Sequence, residues 1–193
     1  VARAGLTPAR VVAEAAQLAD EGGLDRLTLA AVAQRLGVAL PSLYKHVRGL
    51  DDLHRLLAIR ALDELSDHLS EATVGRSGSI ALQHLASAYR TYASNHPGSY
   101  AATLRSAASS DDTAYLAASD RAVRIVYAVL AGYGLTADQL VDATRSLRSA
   151  LHGFVSLEAA GGFGLPQDVD RSYERLISVL DQAFAAWPQA QRD

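Results

Sequence analysis

Apolar residues recur along this chain at three- and four-residue intervals, and each run is closed by residues that end helices. Val11, Val12, Ala15, Ala16, Leu18 and Ala19 line one face of a first helix, the period of an amphipathic α-helix rather than of a strand. Thr7-Pro8 marks its start: a hydroxyl cap, then the residue whose missing N–H would be unpaired there anyway. Leu6 and Val11 are placed for a hydrophobic staple across that cap, and Gly22-Gly23 ends the helix. Thr28 caps a second, short helix through Leu36, stopped by Gly37 where a left-handed residue is wanted. Pro41 opens a third helix running to about Val47. A long fourth begins near Leu50–Asp52, carries Leu53, Leu56, Leu57, Ile59, Leu62, Leu65 and Leu69, and fades in the linker-like stretch 73–79.

Further helices are predicted over 79–95, 98–107, 111–132, 136–160 and 168–187, separated by breakers such as Asn95-His96-Pro97-Gly98, Ser109-Ser110 and Gly132-Tyr133-Gly134. Thr136-Ala137-Asp138-Gln139 has the form of a capping box. No alternating β-branched run and no internal repeat appears. The expected fold class is all-α, with about nine helices: a three-helix unit over 1–50, a larger helical domain over 51–193, and the helix from about 50 to 74 linking the two.

Composition agrees. The chain has 193 residues, of which 37 are Ala, the residue of highest helix propensity. Cys is absent, which removes disulfides, thiolate metal sites and Cys nucleophiles. No apolar run approaches the roughly 18 residues that span a bilayer, so a cytoplasmic protein with no membrane partner is expected. The net charge of −3 hides an asymmetry: residues 1–60 carry eight basic and six acidic side chains, residues 61–193 ten and fifteen. A mildly basic head on an acidic body fits a nucleic-acid-binding end joined to something else.

Residues 28–47, TLAAVAQRLGVALPSLYKHV, form a helix-turn-helix candidate. Val32, Leu36, Val38, Leu43 and Val47 are expected to face inward, with Ala33 small where the two helices approach and Gly37 turning the chain. Leu40, Pro41, Ser42, Tyr44, Lys45 and His46 are left facing out, on a helix whose positive end can face phosphate.

The run Leu36-Gly37-Val38-Ala39-Leu40-Pro41-Ser42-Leu43-Tyr44-Lys45-His46-Val47 resembles the recognition-helix signature of the TetR family of transcriptional repressors, and the likeness extends over 7–62. The resemblance implies phosphate contacts from Thr28, Ser42, Tyr44 and His46, and puts Leu40, Pro41 and Lys45 nearest the base edges. The chemistry agrees: hydroxyls donate to phosphates and position the helix, a lysine reaches a guanine edge, and apolar groups meet a thymine methyl. Two departures stand out. Leu50 occupies a place where relatives often carry a phosphate-holding Lys, with Arg48 close enough to substitute, and Ala30 sits where some relatives have a base-reading Arg. Arg3 is a candidate minor-groove arm.

The resemblance also implies a second domain that binds a small molecule and forms a homodimer. Residues 146–166 are similar to the WHG type of C-terminal domain, matching at His152-Gly153 with Arg148 in place of the Trp; YRTYASNHPG at 89–98 fits the same domain. Leu147, Leu151 and Phe154 on one late helix, and Tyr173, Leu176 and Leu180 on the last, are the candidates for a four-helix dimer interface, the alternative being a single buried core that uses both apolar flanks. Tyr89, Tyr92, Tyr100, Leu104, Tyr127 and His152 are the candidates for a largely apolar ligand pocket with a few oriented polar groups. Half-buried tyrosines with wet hydroxyls are the alternative.

The six histidines have no HExxH or paired-ligand spacing, and Gly161-Gly162-Phe163-Gly164 follows a helix rather than a strand, a poor phosphate cradle. No enzyme, metal or cofactor is expected. A ligand-responsive repressor on a near-palindromic double-stranded DNA operator is the function expected, against a helical ligand-binding or scaffold dimer that does not meet DNA.

Overall fold

Helix-forming runs between well-placed caps give nine α-helices among the described residues. The computed structural model describes residues 5–105 and 111–187. The helices are α1 (Pro8–Gly22), α2 (Leu29–Leu36), α3 (Leu40–Leu43), α4 (Leu50–Thr73), α5 (Gly78–Asn95), α6 (Pro97–Arg105), α7 (Thr113–Ala131), α8 (Ala137–Ala159) and α9 (Val169–Ala186), with one 3₁₀ turn at Leu24–Arg26. No described residue is in a strand. Arg3, Ser109 and Ser110 lie outside the described residues.

The caps explain the boundaries. Thr7 Oγ1 accepts from the Arg10 N–H at 3.2 Å and Thr28 Oγ1 from the Ala31 N–H at 3.1 Å, each filling a donor that a helix start leaves unpaired. The capping box is present: Thr136 N–H donates to Gln139 Oε1 at 2.8 Å and Gln139 N–H to Thr136 Oγ1 at 3.4 Å. Asp168 caps α9.

The chain divides into two compact units, and not at residue 50. Among the described residues, the first combines those up to Glu64 with those from Asn95 to Ser119, and the second those from Leu65 to Ser94 with those from Asp120 on. The division expected from sequence was contiguous; the physical reason for the difference is α6, which packs on α1. Gly98 of α6 lies so close to α1 that an added Cβ would stand 2.1 Å from the Ala19 carbonyl carbon and oxygen. Asp20 completes the joint, taking the Ser99 N–H at 2.7 Å and the Ser99 hydroxyl at 3.2 Å, with His96 Nδ1 at 3.3 Å.

The first unit closes on Val11, Ala15, Ala19, Val32, Leu43, Val47, Leu53, Leu57 and Ala102, all buried. The second closes on residues including Leu69, Leu82, Leu85, Leu130, Leu147, Leu151, Val155, Ile177 and Phe184.

Candidate nucleic-acid interface

The turn between α2 and α3 is fixed by backbone chemistry. Gly37 is left-handed (φ 67°, ψ 33°). Val38 N–H donates to Ala33 O at 3.0 Å and Gly37 N–H to Gln34 O at 3.1 Å, the paired bonds of a Schellman motif, in which only a residue without Cβ sits unstrained at the turn. Val32, Ala33, Leu43 and Val47 are buried, with Leu36 and Val38 packed half-buried against them. The inward set expected from the sequence is therefore the set that holds the two helices together.

α2 is also fastened to α1 by charge. Arg35 reaches Glu14 at 2.9 Å and forks onto Glu21 at 2.6 and 2.7 Å, a bidentate geometry that fixes orientation as well as distance. The exposed Glu21 carboxyl is held below its usual range by the Arg35 hydrogen bond. With Arg55 paired to Asp112 and Arg60 to Glu64, several of the basic side chains counted in the first sixty residues are committed inside the fold. Lys45 remains exposed.

α3 differs from the expected helix. Its regular part begins at Leu40 and ends at Leu43; from there the chain continues through a turn, with His46 N–H and Val47 N–H both on Leu43 O at 2.8 and 3.0 Å. The start of this short helix offers few free amide donors. Pro41 has no N–H and the Ser42 N–H is taken by Ala39 O at 2.8 Å, and four residues sum to little dipole.

The side chains expected to meet DNA are mostly exposed. Tyr44 is 55% and Leu40 37% exposed; Pro41, Lys45 and Thr28 are exposed, and Ser42 and His46 are half-buried. Thr28 keeps a hydroxyl hydrogen to donate, since the Ala31 bond uses only its lone pair. Arg48 is 83% exposed. Its backbone N–H donates to Asp52 Oδ2 at 2.9 Å and its guanidinium to Oδ1 at 3.2 Å. Burial pushes the Asp52 carboxyl up, but the two Arg48 hydrogen bonds and the Arg48 and Arg55 charges outweigh that and hold it below the ordinary carboxylate range. In the sequence, Asp52 stood out only as part of the stretch where the fourth helix begins.

The ligand candidates fall in both units. Tyr100 and Leu104 belong to the first unit, Tyr89, Tyr92, Tyr127 and His152 to the second. Tyr89, Tyr92 and Tyr100 are buried, Tyr127 and His152 half-buried, and Leu104 exposed. His152 Nδ1 lies 3.2 Å from the Ser156 hydroxyl one turn on, and Arg148 is exposed. A cleft of about 910 Å³ lies within the first unit, lined by His54 and by charged side chains including Asp51, Arg55, Arg105 and Asp112. None of the six candidates lines this cleft. Burial lowers the His54 imidazole below its usual pKa, and the nearby Arg105 charge adds to that.

The dimer candidates need correcting. Leu147, Leu151 and Tyr173 are buried within the chain, and Tyr173 donates its hydroxyl to Ala86 O at 2.7 Å. These three hold α8 and α9 to their own core and are not surface groups. Phe154, Leu176 and Leu180 are half-buried, and beside them Leu157 and Val179 are 53% and 54% exposed.

With this geometry in view, the likeness to known proteins becomes specific. A family model described as bacterial regulatory proteins of the tetR family matches residues 11–53, and one described as a tetracyclin repressor-like C-terminal domain matches 82–180. An uncharacterized HTH-type transcriptional regulator of Mycobacterium tuberculosis, Rv0681, is 43% identical over 158 residues, covering 82% of this chain and 72% of its own. Another, YobS of Bacillus subtilis, is 36% identical over 168 residues and 86% of both chains. Among solved structures, a TetR variant from Acinetobacter baumannii in complex with minocycline superposes with a TM-score of 0.70 at 22% identity, covering 97% of this chain and 99% of that one; it shows the shared fold. The first model spans the helix-turn-helix described above, and the second spans more than half of the chain. The chain belongs to the TetR family of transcriptional regulators.

Proposed function

We propose that the chain is a one-component, ligand-responsive repressor, which as a homodimer in the bacterial cytoplasm binds a near-palindromic operator and leaves it when a small molecule binds. The observation that carries this is the outer face of the α3 turn, where Leu40, Pro41, Tyr44 and Lys45 are exposed while Leu43 and Val47 anchor it from within. In a dimer two such faces, about 34–36 Å apart, enter successive major grooves. Thr28, Ser42, Tyr44, His46 and Arg48 hold phosphates, and Lys45, with Leu40 and Pro41 beside it, meets base edges.

For the dimer, α8 and α9 offer Phe154, Leu157, Leu176, Val179 and Leu180, a half-covered apolar face on a helix pair that a second copy completes as a four-helix bundle. For the ligand, the chemistry expected is a largely apolar molecule, with Tyr89, Tyr92, Tyr127 and His152 of the second unit as the candidate contacts. Release from the operator then follows as a population shift: the molecule must bind the DNA-incompetent state better, since equal affinity moves nothing.

The experiment is selection of bound sites from random duplex DNA, followed by titration of the selected duplex. Tyr44→Phe removes one phosphate donor and is expected to weaken all sequences about equally. Lys45→Ala is expected to change the preferred base and to cost about 1–3 kcal/mol on the selected site. Selection that returns no enriched site, or both variants binding as wild type does, contradicts the proposal.

A further inference from the structure

We propose that Asp52 is a positioning residue for DNA binding: its carboxylate sets the loop and side chain of Arg48 where they meet the phosphate backbone. This rests on Arg48 being a phosphate contact, as in the proposed function.

Asp52 is the third residue of α4, and it reaches back over the helix start to the residue before Gly49. One oxygen takes the Arg48 backbone N–H at 2.9 Å and the other the guanidinium at 3.2 Å. Val47 and Leu53 on either side are buried, so both ends of this short loop are anchored and the carboxylate pins its middle. A second cation holds the carboxylate itself. Arg55 Nη1 stands 3.7 Å from Asp52 Oδ1 and grips Asp112 with Nε and with Nη2, the latter at 2.7 Å. Asp112 in turn accepts the Tyr115 N–H at 3.2 Å at the start of α7. The Asp52 carboxylate is thus bracketed, and Arg48 extends from it with most of its surface in solvent. A long, freely rotating arginine loses side-chain entropy when it docks on phosphate; one already held by backbone and head loses less.

The sign of the effect makes the proposal testable. Simple charge arithmetic says that removing an acid beside a phosphate-binding face tightens binding, because repulsion is relieved. Positioning predicts the reverse. The duplex selected by the wild-type protein is titrated with Arg48→Ala, Asp52→Ala, Asp52→Asn and the Arg48→Ala/Asp52→Ala double variant, each first shown by thermal melting to be folded. Arg48→Ala, which removes two phosphate contacts per dimer, is expected to weaken binding roughly tenfold. Asp52→Ala is expected to weaken it by a substantial part of that factor. Asp52→Asn, whose amide oxygen still accepts the Arg48 N–H, recovers most of the loss. In the Arg48→Ala background Asp52→Ala no longer weakens binding, which a general defect in folding would not produce. Asp52→Ala binding as tightly as wild type, or more tightly, overturns the proposal. So does Arg48→Ala binding at full affinity; that result leaves the docking of α3 standing, since the Tyr44 and Lys45 variants test it separately.

Discussion

Gly98→Ala is expected to be the most damaging single-methyl change in the first unit, lowering its stability by about 3 kcal/mol or more. A Cβ at this position stands 2.1 Å from both the carbon and oxygen of the Ala19 carbonyl and 2.6 Å from the Asp20 nitrogen. All three are backbone atoms, so no rotamer change relieves the overlap, and α6 has to move off α1. That movement also stretches the hydrogen bonds from Ser99 to the Asp20 carboxylate, leaving a half-buried acid with fewer donors. The sign is diagnostic. In an unstrained helix the same substitution stabilises by roughly 0.4–1 kcal/mol, because it restricts the unfolded chain. Urea denaturation of the two proteins side by side is the measurement: a large fall in midpoint is expected for Gly98→Ala, and an unchanged or raised midpoint would mean that α6 does not press on α1 as described. Since α1 and α2 carry the α3 turn, duplex affinity is expected to fall with the folded fraction.

The second large effect is expected at Arg90, where Arg90→Ala should destabilise the second unit by about 3 kcal/mol. Its guanidinium joins three helices: Nε bonds Glu158 Oε2 of α8 at 2.8 Å, and Nη2 bonds the other oxygen of Glu158 and Asp170 of α9 at 2.8 Å. The same group lies over the Tyr173 ring at 4.9 Å and the Phe154 ring at 5.7 Å, a position where cation–π attraction adds to the ion pairs. The side chain is 20% exposed, so the pairs are only partly screened, and removing the cation leaves Glu158 without its counter-charge. Arg90→Lys is expected to recover little, because an ammonium neither forks onto a carboxylate nor stacks on a ring as guanidinium does. Thermal melting of the wild type and both variants checks this. Sedimentation of the same proteins tests the proposed dimer, which uses the α8–α9 pair that Arg90 holds.

Helix ends were legible in the sequence because caps are local chemistry. Thr7, Thr28, Gly37 and Thr136 each act within a turn of themselves, and their helices begin or end within a residue or two of where those residues put them. α3 was the exception: turn residues after Leu43 carry the same apolar spacing as a helix, so periodicity ran on to Val47 while the regular hydrogen bonding stopped.

Long-range matters were not legible. The α1–α6 joint links Asp20 to Ser99 and the α4–α7 joint Arg55 to Asp112, pairings that no local pattern announces. The one available signal was a glycine in the first turn of α6, where helix propensity disfavours it and close packing excuses it. Net charge misled in detail, since Arg35 and Arg55 answer to acids of their own unit. Apolar stripes on α8 and α9 likewise cannot say whose core they fill; Leu147 and Leu151 fill their own.

The most direct test of the central claim, that the outer face of the α3 turn lies against duplex phosphates, is the salt dependence of binding to the selected operator. A log–log plot of affinity against salt is expected to fall with a slope of about −2 or steeper, from two Arg48 side chains releasing counterions, with Lys45 of each subunit adding to it. Arg48→Ala is expected to make the slope shallower by about 2 per dimer. A slope near zero, unaffected by that substitution, would contradict the account.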